Sequence, residues 1–331
     1  MTALGPLLSH AIGDISGDFD AGVAASGGDI RLTLVLWADL LRAVPDGGIS
    51  FSDLPVATRV SRRVLKTAET YGRDWLKITP LKPKGKLWRL TPPGARLRDL
   101  GSELVQNTEA QWAAKVGETE VARLRAALEK VVAGLDFELP HYPMPYGGGD
   151  ARALGGFAVA AKAGPPPIPA HGTDWVPVVR GDGDTVSALP LHALLSQAYM
   201  AYKIAVEERV LLGVAVVAEI ARVMPTGQAP LEDVAHLGVD GRGKSSLERH
   251  GVVTVKGSGK NRVARLTSVA RRLPEVYEPA MAEVEKRWRD TYGDRVVTEL
   301  RKSLEAVGAK LASDLPDHVV VYVNRWRAGA A

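Results

Sequence analysis

The sequence predicts a mainly helical α+β protein in which one domain occurs twice along the chain. Three observations support this prediction. The length of 331 residues fits two domains at roughly 100–200 residues each, matching residues recur at a fixed spacing, and helical apolar periodicity is interrupted in each half by one short hairpin. Each half is therefore long enough to bury a core without disulfides or metal ions.

The duplication is visible as matching residues 176 positions apart. Leu90-Thr91 matches Leu266-Thr267, and Trp112 matches Trp288 at the same spacing. Because the register holds over long segments, we infer a duplication and expect each half to fold in the same way.

Upstream of the hairpins the spacing is 180 residues, as between Pro45 and Pro225, so the second copy is four residues shorter. We expect this deficit to fall around the third helix of the second copy. The predicted organisation is a first copy at residues 1–146, a linker rich in glycine and proline at 147–185, and a second copy at 186–331.

The first copy is predicted to contain three helices before its hairpin. Leu32–Ala43 forms a largely buried helix that ends at Pro45-Asp46-Gly47, and Ser52 is placed to cap a short helix through Ala57. The third helix begins near Ser61 and has one apolar and one polar face at about 100° per residue. The apolar face contains Val64, Leu65, Ala68, Tyr71 and Trp75. The polar face contains Arg62, Arg63, Lys66, Thr70 and Arg73.

A hairpin and two helices complete the first copy. The extended segments Leu76–Pro80 and Leu87–Leu90 are joined by Lys82-Pro83-Lys84-Gly85-Lys86, which combines turn residues with positive charge. Thr91 opens a long helix with proline in its first turn, and another helix covers Glu118–Val132. This order predicts a winged helix-turn-helix domain with helical flanks, and we expect the flanks of both copies to form one dimer-like helical layer.

The second copy repeats this order in a shorter form. Its predicted helices are Val210–Met224, Leu231–Leu237 and Lys244–His250. Its predicted hairpin strands are Val252–Val255 and Arg262–Leu266.

Positive charge is concentrated in the two predicted winged segments. The net charge is +10 between Arg59 and Arg98 and +8 between Arg242 and Arg272, whereas the whole chain has +4, which leaves −14 elsewhere. Such confinement is expected if these segments meet phosphates. The alternative is an ordinary solvated charged face.

The residues predicted to contact double-stranded DNA lie on the third helices and the hairpins. Arginines of the helices are suited to base edges, and lysines of the hairpin tips to phosphates. The set is Ser61, Arg62, Arg63, Lys66, Thr70, Lys82, Lys84, Lys86, Arg242, Lys244, Ser245, Arg249, Lys260 and Arg262.

The basic hairpin leads into Trp88-Arg89-Leu90-Thr91-Pro92-Pro93-Gly94. This segment is similar to the wing of the MarR-type winged helix-turn-helix regulators and to the Leu-Thr-Pro-x-Gly start of their long helix, and the chain resembles two fused copies of that family. Val263–Thr267 corresponds to this segment in the second copy, and Trp112–Leu128 and Trp288–Leu304 resemble the family's C-terminal helical segment. The Asp-x-Arg often found in the family's wing is absent. The resemblance covers almost everything except the linker.

The resemblance implies a transcriptional regulator that a small, aromatic or lipophilic effector modulates. The family binds DNA as a homodimer held by its terminal helices, whereas here one chain supplies both halves. We therefore expect a monomer that acts as a pseudo-dimer. Candidate effector contacts are Trp37, Tyr199 and Tyr202, for which packing within the helical layer is the alternative.

No enzyme, metal site or cofactor is predicted. Gly238–Ser245 matches the nucleotide-binding pattern G-x-x-x-x-G-K-[ST], but Leu231–Leu237 before it has a helical pattern where that motif needs a strand. The chain has no cysteine, and its seven histidines show no metal-ligand spacing. Val210–Ala218 is the longest apolar run and is shorter than the ~20 residues that span a bilayer, so a cytoplasmic protein is expected.

Three functions remain open from the sequence. The leading hypothesis is a sequence-specific DNA-binding transcriptional regulator. The alternatives are an architectural or replication-initiating tandem winged-helix protein, and a winged-helix scaffold that binds other proteins.

Overall fold

A computed structural model describes most of both copies. The described residues are 3–28, 34, 39–60, 62, 65, 69, 72–141, 178–179, 186–207, 220, 223–234, 239, 241, 246–249 and 251–311. Over these ranges the chain is mainly helical with small antiparallel sheets. None of the helices in these ranges combines the length and apolar character needed to cross a membrane.

The described residues form the following helices and strands. The helices are α1 (Leu4–Ala25), α2 (Asp39–Arg42), α3 (Leu54–Thr58), α4 (Pro92–Val116), α5 (Glu118–Ala133), α6 (Leu191–Glu207), α7 (Leu231–Val234), α8 (Ser246–Arg249), α9 (Ser268–Arg271), α10 (Leu273–Tyr292) and α11 (Asp294–Gly308). The strands are β1 (Ile49–Ser50), β2 (Leu76–Pro80), β3 (Lys86–Leu90), β4 (Phe137–Glu138), β5 (Val178–Val179), β6 (Gln228–Pro230), β7 (Val253–Lys256) and β8 (Val263–Leu266).

Each copy contains one three-stranded antiparallel sheet with the same topology. The strand order is β1-β3-β2 in the first copy and β6-β8-β7 in the second. Ile49 lies opposite Trp88, and Ala229 lies opposite Ala264. These pairs reproduce the offsets of 180 residues upstream and 176 downstream that the sequence shows.

The four-residue deficit of the second copy is divided between two places. Leu76 pairs with Leu90 in the first hairpin, and Val253 pairs with Leu266 in the second. The second hairpin is therefore one residue shorter, and the other three residues are lost between β6 and β7. The expectation that the whole deficit falls around the third helix was wrong, because hairpin length is set by its loop.

Threonine caps the helix that follows the hairpin in both copies, namely the long helix α4 in the first copy and the short helix α9 in the second. The Thr91 hydroxyl accepts from Gly94 N at 3.2 Å and donates to the Asp74 carbonyl at 2.7 Å, which ties α4 to the residues before β2. Thr267 makes the equivalent pair with Ala270 N and the Gly251 carbonyl. The predicted helix start at Thr91 is confirmed.

The predicted cap at Ser52 was wrong. Asp53 occupies the N-cap position of α3 without a side-chain cap bond, and the Ser52 hydroxyl contacts Ser50 and Asp53 instead. Much of the predicted helices at Leu32–Ala43 and Val210–Met224, and of both third helices, lies outside the described residues.

Helices of the two copies pack together in one layer with approximate twofold relations. The last helices α5 and α11 pack against each other, as do the first helices α1 and α6. Each first helix also packs against the last helix of the other copy, α1 on α11 and α6 on α5. Residues 191–200 of α6 are all buried, because this helix lies at the centre of the layer.

One Glu–Arg pair in each copy holds the start of the other copy's first helix. Glu285 accepts from Leu4 N at 2.8 Å and pairs with Arg301. Glu109, 176 positions before Glu285, accepts from Leu191 N at 2.9 Å and pairs with Arg125. Each carboxylate thereby satisfies a free N–H group at the start of the other copy's helix.

The two copies meet at two equivalent contact points, here called joints, where the end of each long helix contacts the last helix of the other copy. The two joints contain different residues. Lys310 Nζ donates to the carbonyl of Val116, the last residue of α4. At the other joint Gly134 takes the position of Lys310, and Tyr292 takes that of Val116. A Cβ at Gly134 would lie 2.8 Å from Tyr292 Cε1, so the ring needs the glycine.

The two matching tryptophans are both buried, but their partners differ. Trp112 Nε1 donates to Asp14 Oδ2 at 2.7 Å, and Lys115 Nζ lies 2.8 Å from the same oxygen. Trp288 instead packs edge to face on Tyr202, with ring centroids 5.6 Å apart. A polar contact in one copy thus corresponds to an aromatic contact in the other.

Asp20 is expected to make stability depend on pH. Burial raises its pKa to about 6, which outweighs the opposing hydrogen bond from Leu34 N. The folded state therefore holds the proton more tightly than the unfolded state, and the resulting stability is lost as the pH rises from about 4 to 6. Asp20→Asn should raise the free energy of unfolding at pH 8 by ~1–3 kcal/mol.

Urea denaturation of wild type and Asp20→Asn at pH 4 and pH 8 measures this effect. Glu103→Gln, at an exposed position of α4, is the matched control and should change little at either pH. A gain of equal size at both pH values would contradict the assignment to Asp20 ionisation.

Candidate nucleic-acid interface

The described structure contains the side chains of six predicted DNA contacts: Arg62, Lys82, Lys84, Lys86, Lys260 and Arg262. Arg249 lies in α8, but its side chain is outside the description. Seven others lie outside the described residues, namely Ser61, Arg63, Lys66, Thr70, Arg242, Lys244 and Ser245. Arg62 is helical and exposed, which agrees with its predicted place on the polar face.

The tip of the first hairpin presents lysine side chains to solvent. Leu81 N donates to the Gly85 carbonyl at 3.0 Å and closes the loop between β2 and β3. Lys82 and Lys84 are exposed within this loop, and Lys86 is exposed at the start of β3, where it pairs with Glu69. The loop therefore places at least two lysine charges at the outer end of the hairpin.

The outer face of the first sheet contains a pair of like charges that the sequence reasoning did not select. Lys77 on β2 lies directly opposite Arg89 on β3, and both are exposed. Side chains alternate between the two faces of a strand, so the buried neighbours Leu76 and Trp88 point to the other face. This alternation is the sequence signal that could have identified Lys77 and Arg89.

Directly opposed like charges destabilise a sheet. Lys77 and Arg89 are therefore expected to cost stability in the free protein, and an anion lying against both would relieve that cost. Arg89 Nε also donates to the Gly47 carbonyl at 3.2 Å, which holds its guanidinium across the sheet. The face consequently presents two exposed cations, of which Arg89 is held by this hydrogen bond.

The second hairpin is also basic but differs in detail. Lys256 and Lys260 are exposed at its tip, where a short 3-10 turn covers Gly259–Asn261. Arg265 is exposed on β8, opposite Thr254 rather than opposite another cation. Arg265 was also missed by the sequence reasoning.

Arg262 is half-buried and has a packing role as well as a charge. A Cβ at Gly241 would lie 2.8 Å from its Nη1, which shows how closely the guanidinium lies over residue 241. The Arg262 carbonyl accepts from Leu231 N at 3.0 Å and joins the hairpin to α7. Only part of this side chain is accessible for a phosphate.

Besides Lys86, two cations of the first basic segment are paired with carboxylates of the protein. Arg98 lies 2.7 Å from Asp46 and 2.9 Å from Asp99. Arg59 pairs with Glu138. The positive charge of the exposed surface is therefore smaller than the count along the sequence.

Glu138 is held by a small polar network. Burial alone would raise its pKa, but hydrogen bonds from His141 and Arg59 outweigh that effect and lower the pKa to about 2. His141 Nε2 lies 3.0 Å from Glu138 Oε1, and His141 Nδ1 lies 2.9 Å from Arg42 Nη2. This network connects α2, the end of α3 and β4.

The predicted effector contacts Tyr199 and Tyr202 belong to the core of α6. Their exposed fractions are 1% and 0%, and burial together with the charge of Glu285 raises the pKa of Tyr202. Trp37 lies outside the described residues. An effector role for the three residues stays a prediction.

Over the described ranges, no group of three or more His, Asp or Glu side chains is arranged to hold a metal ion. Within the G-x-x-x-x-G-K-[ST] segment only residues 239 and 241 are described, and the segment before it contains the short helix α7. A phosphate-binding loop of that type needs a strand at this place.

Basic side chains that are exposed or half-buried therefore lie on both sheets and at both hairpin tips. The described basic residues of these surfaces are Lys77, Lys82, Lys84, Lys86, Arg89, Lys256, Lys260, Arg262 and Arg265. In comparisons with known proteins, no family model matches the chain, and no curated protein or solved structure is significantly similar to it.

Proposed function

We propose that the chain is a sequence-specific, double-stranded DNA-binding transcriptional regulator, built as a single-chain pseudo-dimer of two MarR-like winged helix-turn-helix copies. The observation that supports this proposal most directly is the pair Lys77 and Arg89, opposed on an exposed sheet face next to a lysine-rich hairpin tip. DNA phosphates would relieve the repulsion between these two cations.

An ordinary solvated surface explains this arrangement less well. Surface charges that serve only solubility are best interspersed with opposite charges. On the β2–β3 face the directly opposed residues are both cations, and Lys82 and Lys84 add charge of the same sign at the tip. A phosphate backbone matches such a surface because it repeats negative charge at short intervals.

The approximate twofold relation of the helical layer supports two half-sites. Homodimeric regulators read two half-sites about one helical turn, ~34–36 Å, apart, and a fused pair retains this geometry. The two surfaces differ here, since Lys77 lies opposite Arg89 whereas Thr254 lies opposite Arg265. We therefore propose an asymmetric operator on which the first copy contributes more affinity.

Regulation by a small aromatic or lipophilic effector is part of the proposal through the family resemblance. The burial of Tyr199 and Tyr202 does not favour effector binding at these residues, because both are packed inside the helical layer. An effector bound near them would have to separate α6 from its neighbours.

Selection of binding sites from random duplex DNA tests the proposed function. A defined asymmetric sequence with two unlike half-sites is the expected result. Binding without sequence preference would support the architectural or replication-initiator alternative, and no binding at 50 mM salt would support the protein-binding scaffold.

Variants of single lysines make this test sharper. Lys84→Ala should weaken binding on all sequences and lower the salt slope of log K by about 0.9. Lys130→Ala, at an exposed position of α5 away from both sheets, is the matched control and should leave the slope unchanged. Equal slopes for both variants and wild type would place the DNA on another surface.

A further inference from the structure

Arg271, the last residue of α9, lies over the turn that precedes strand β6. A Cβ placed at Gly227 would lie 3.4 Å from its Nε and 3.9 Å from its Nη2, which is ordinary van der Waals contact. The Gly227 carbonyl accepts from Leu266 N at 2.9 Å. The next residue, Gln228, lies directly opposite Arg265 on β8. Arg271 and Arg265 therefore border the same corner of the second sheet.

The charge of Arg271 is not neutralised within the part of the chain that the structure describes. Its side chain is exposed and forms no ion pair with a carboxylate of the described residues. The next residue, Arg272, is also exposed but pairs with Glu275 at 3.0 Å. Such an i,i+3 pair is typical of an arginine on a solvated helix face. Two neighbouring arginines thus differ in whether their charge remains available to an anion.

The first copy covers the corresponding turn with an arginine from a strand. Arg89 of β3 donates to the carbonyl of Gly47, and Gly47 lies 180 positions before Gly227. The residue equivalent to Arg271 is Ala95, which has no charge. Each copy therefore places one guanidinium over this turn but takes it from a different element.

This exchange changes the side of the central strand on which the second cation lies. In the first copy, Lys77 accompanies Arg89 on the β2 side of β3. In the second copy, Thr254 takes the place of Lys77, and Arg271 adds its charge on the β6 side of β8. Both copies thus have two exposed cations beside the central strand, but the second cation lies on opposite sides of it.

We propose that Arg271 and Arg265 form a phosphate-binding site of the second copy, in which Arg271 contacts the DNA backbone. The duplex supplies phosphates at short intervals, so neighbouring phosphates can meet both guanidinium groups. The contact positions the second half-site without reading its sequence. This inference rests on the proposed DNA-binding function and identifies residues through which the second copy binds the backbone.

The salt dependence of binding to the selected duplex tests this site. Arg271→Gln should lower the salt slope of log K by about 0.9 and weaken binding about fivefold at physiological salt, because one phosphate contact is lost. Arg271→Lys should keep the slope near that of wild type, since it retains the charge, whereas a purely structural guanidinium would not be replaced by lysine. Arg272→Gln removes the neighbouring, paired arginine and is the matched control, which should leave the slope unchanged.

Neutral methylphosphonates at single positions of the duplex locate the contact. In wild type, replacement of the contacted phosphate in the second half-site should weaken binding. In Arg271→Gln the same replacement should have little further effect, because the partner of that phosphate is already missing. Replacements in the first half-site should affect both proteins equally.

The outcomes distinguish failure of this site from failure of the proposed function. An unchanged slope in Arg271→Gln, or a slope lowered equally in Arg272→Gln, would overturn the site in a protein that still binds DNA. Equal methylphosphonate effects on both proteins throughout the second half-site would also overturn it. A wild-type chain that binds no duplex at low salt would overturn the proposed function and the phosphate site together.

Discussion

Arg301→Ala is expected to destabilise the folded chain by about 3–5 kcal/mol. Arg301 and Glu285 are both buried, and Glu285 also accepts from Leu4 N across the boundary between the copies. Removal of Arg301 leaves a buried carboxylate that keeps the hydrogen bond from Leu4 N but has only the more distant Arg289, at 3.9 Å, as a neighbouring cation. Breaking a buried ion pair in this way is among the most costly single changes in a protein core.

The equivalent pair in the first copy provides the matched control. Arg125 and Glu109 have side chains that are 25% and 26% exposed, so water compensates for a lost partner. Arg125→Ala should therefore cost only about 1–2 kcal/mol. Urea denaturation of both variants measures the difference, and equal losses would show that burial does not control the strength of these pairs.

Simultaneous replacement of Lys77 and Arg89 by glutamine is expected to weaken DNA binding strongly and to stabilise the protein slightly. Two lost phosphate contacts should lower the salt slope by about 1.8 and the affinity at 0.15 M salt by about tenfold or more. Loss of the cross-strand repulsion should add roughly 0.2–1 kcal/mol to the free energy of unfolding.

Opposite changes in binding and stability are typical of a surface that is maintained for function. Fluorescence anisotropy with the selected duplex and thermal denaturation measure the two quantities. Arg123→Gln with Lys130→Gln, at two exposed positions of α5, is the matched control and should leave the affinity unchanged. The interface assignment fails if both double variants reduce affinity equally.

Elements that depend on neighbouring residues were predictable from the sequence. Thr91 followed by two prolines marks the start of α4, and Lys82 to Lys86 marks the turn between β2 and β3. These signals act within a few positions of the chain. Trp112 and Trp288, which match at the spacing of the duplication, are both buried.

The contacts between the copies were not predictable in the same way. Leu4 N and Glu285 are 281 positions apart, so no local pattern joins them. Glu109 and Glu285 do recur at the spacing of the duplication, which was the available signal. The internal pairing of Arg59 with Glu138 was missed because a count of charge along the chain does not distinguish exposed cations from paired ones.

The different residues at the joints of Gly134 and Lys310 determine which copies of two separate chains could pair with each other. Two first copies would place Gly134 against Val116 and leave a void, and two second copies would place Lys310 against Tyr292. Only a first copy with a second copy reproduces both joints. Exchange between molecules would therefore have to be reciprocal, and neither half alone retains the self-complementary surface of a symmetric ancestor.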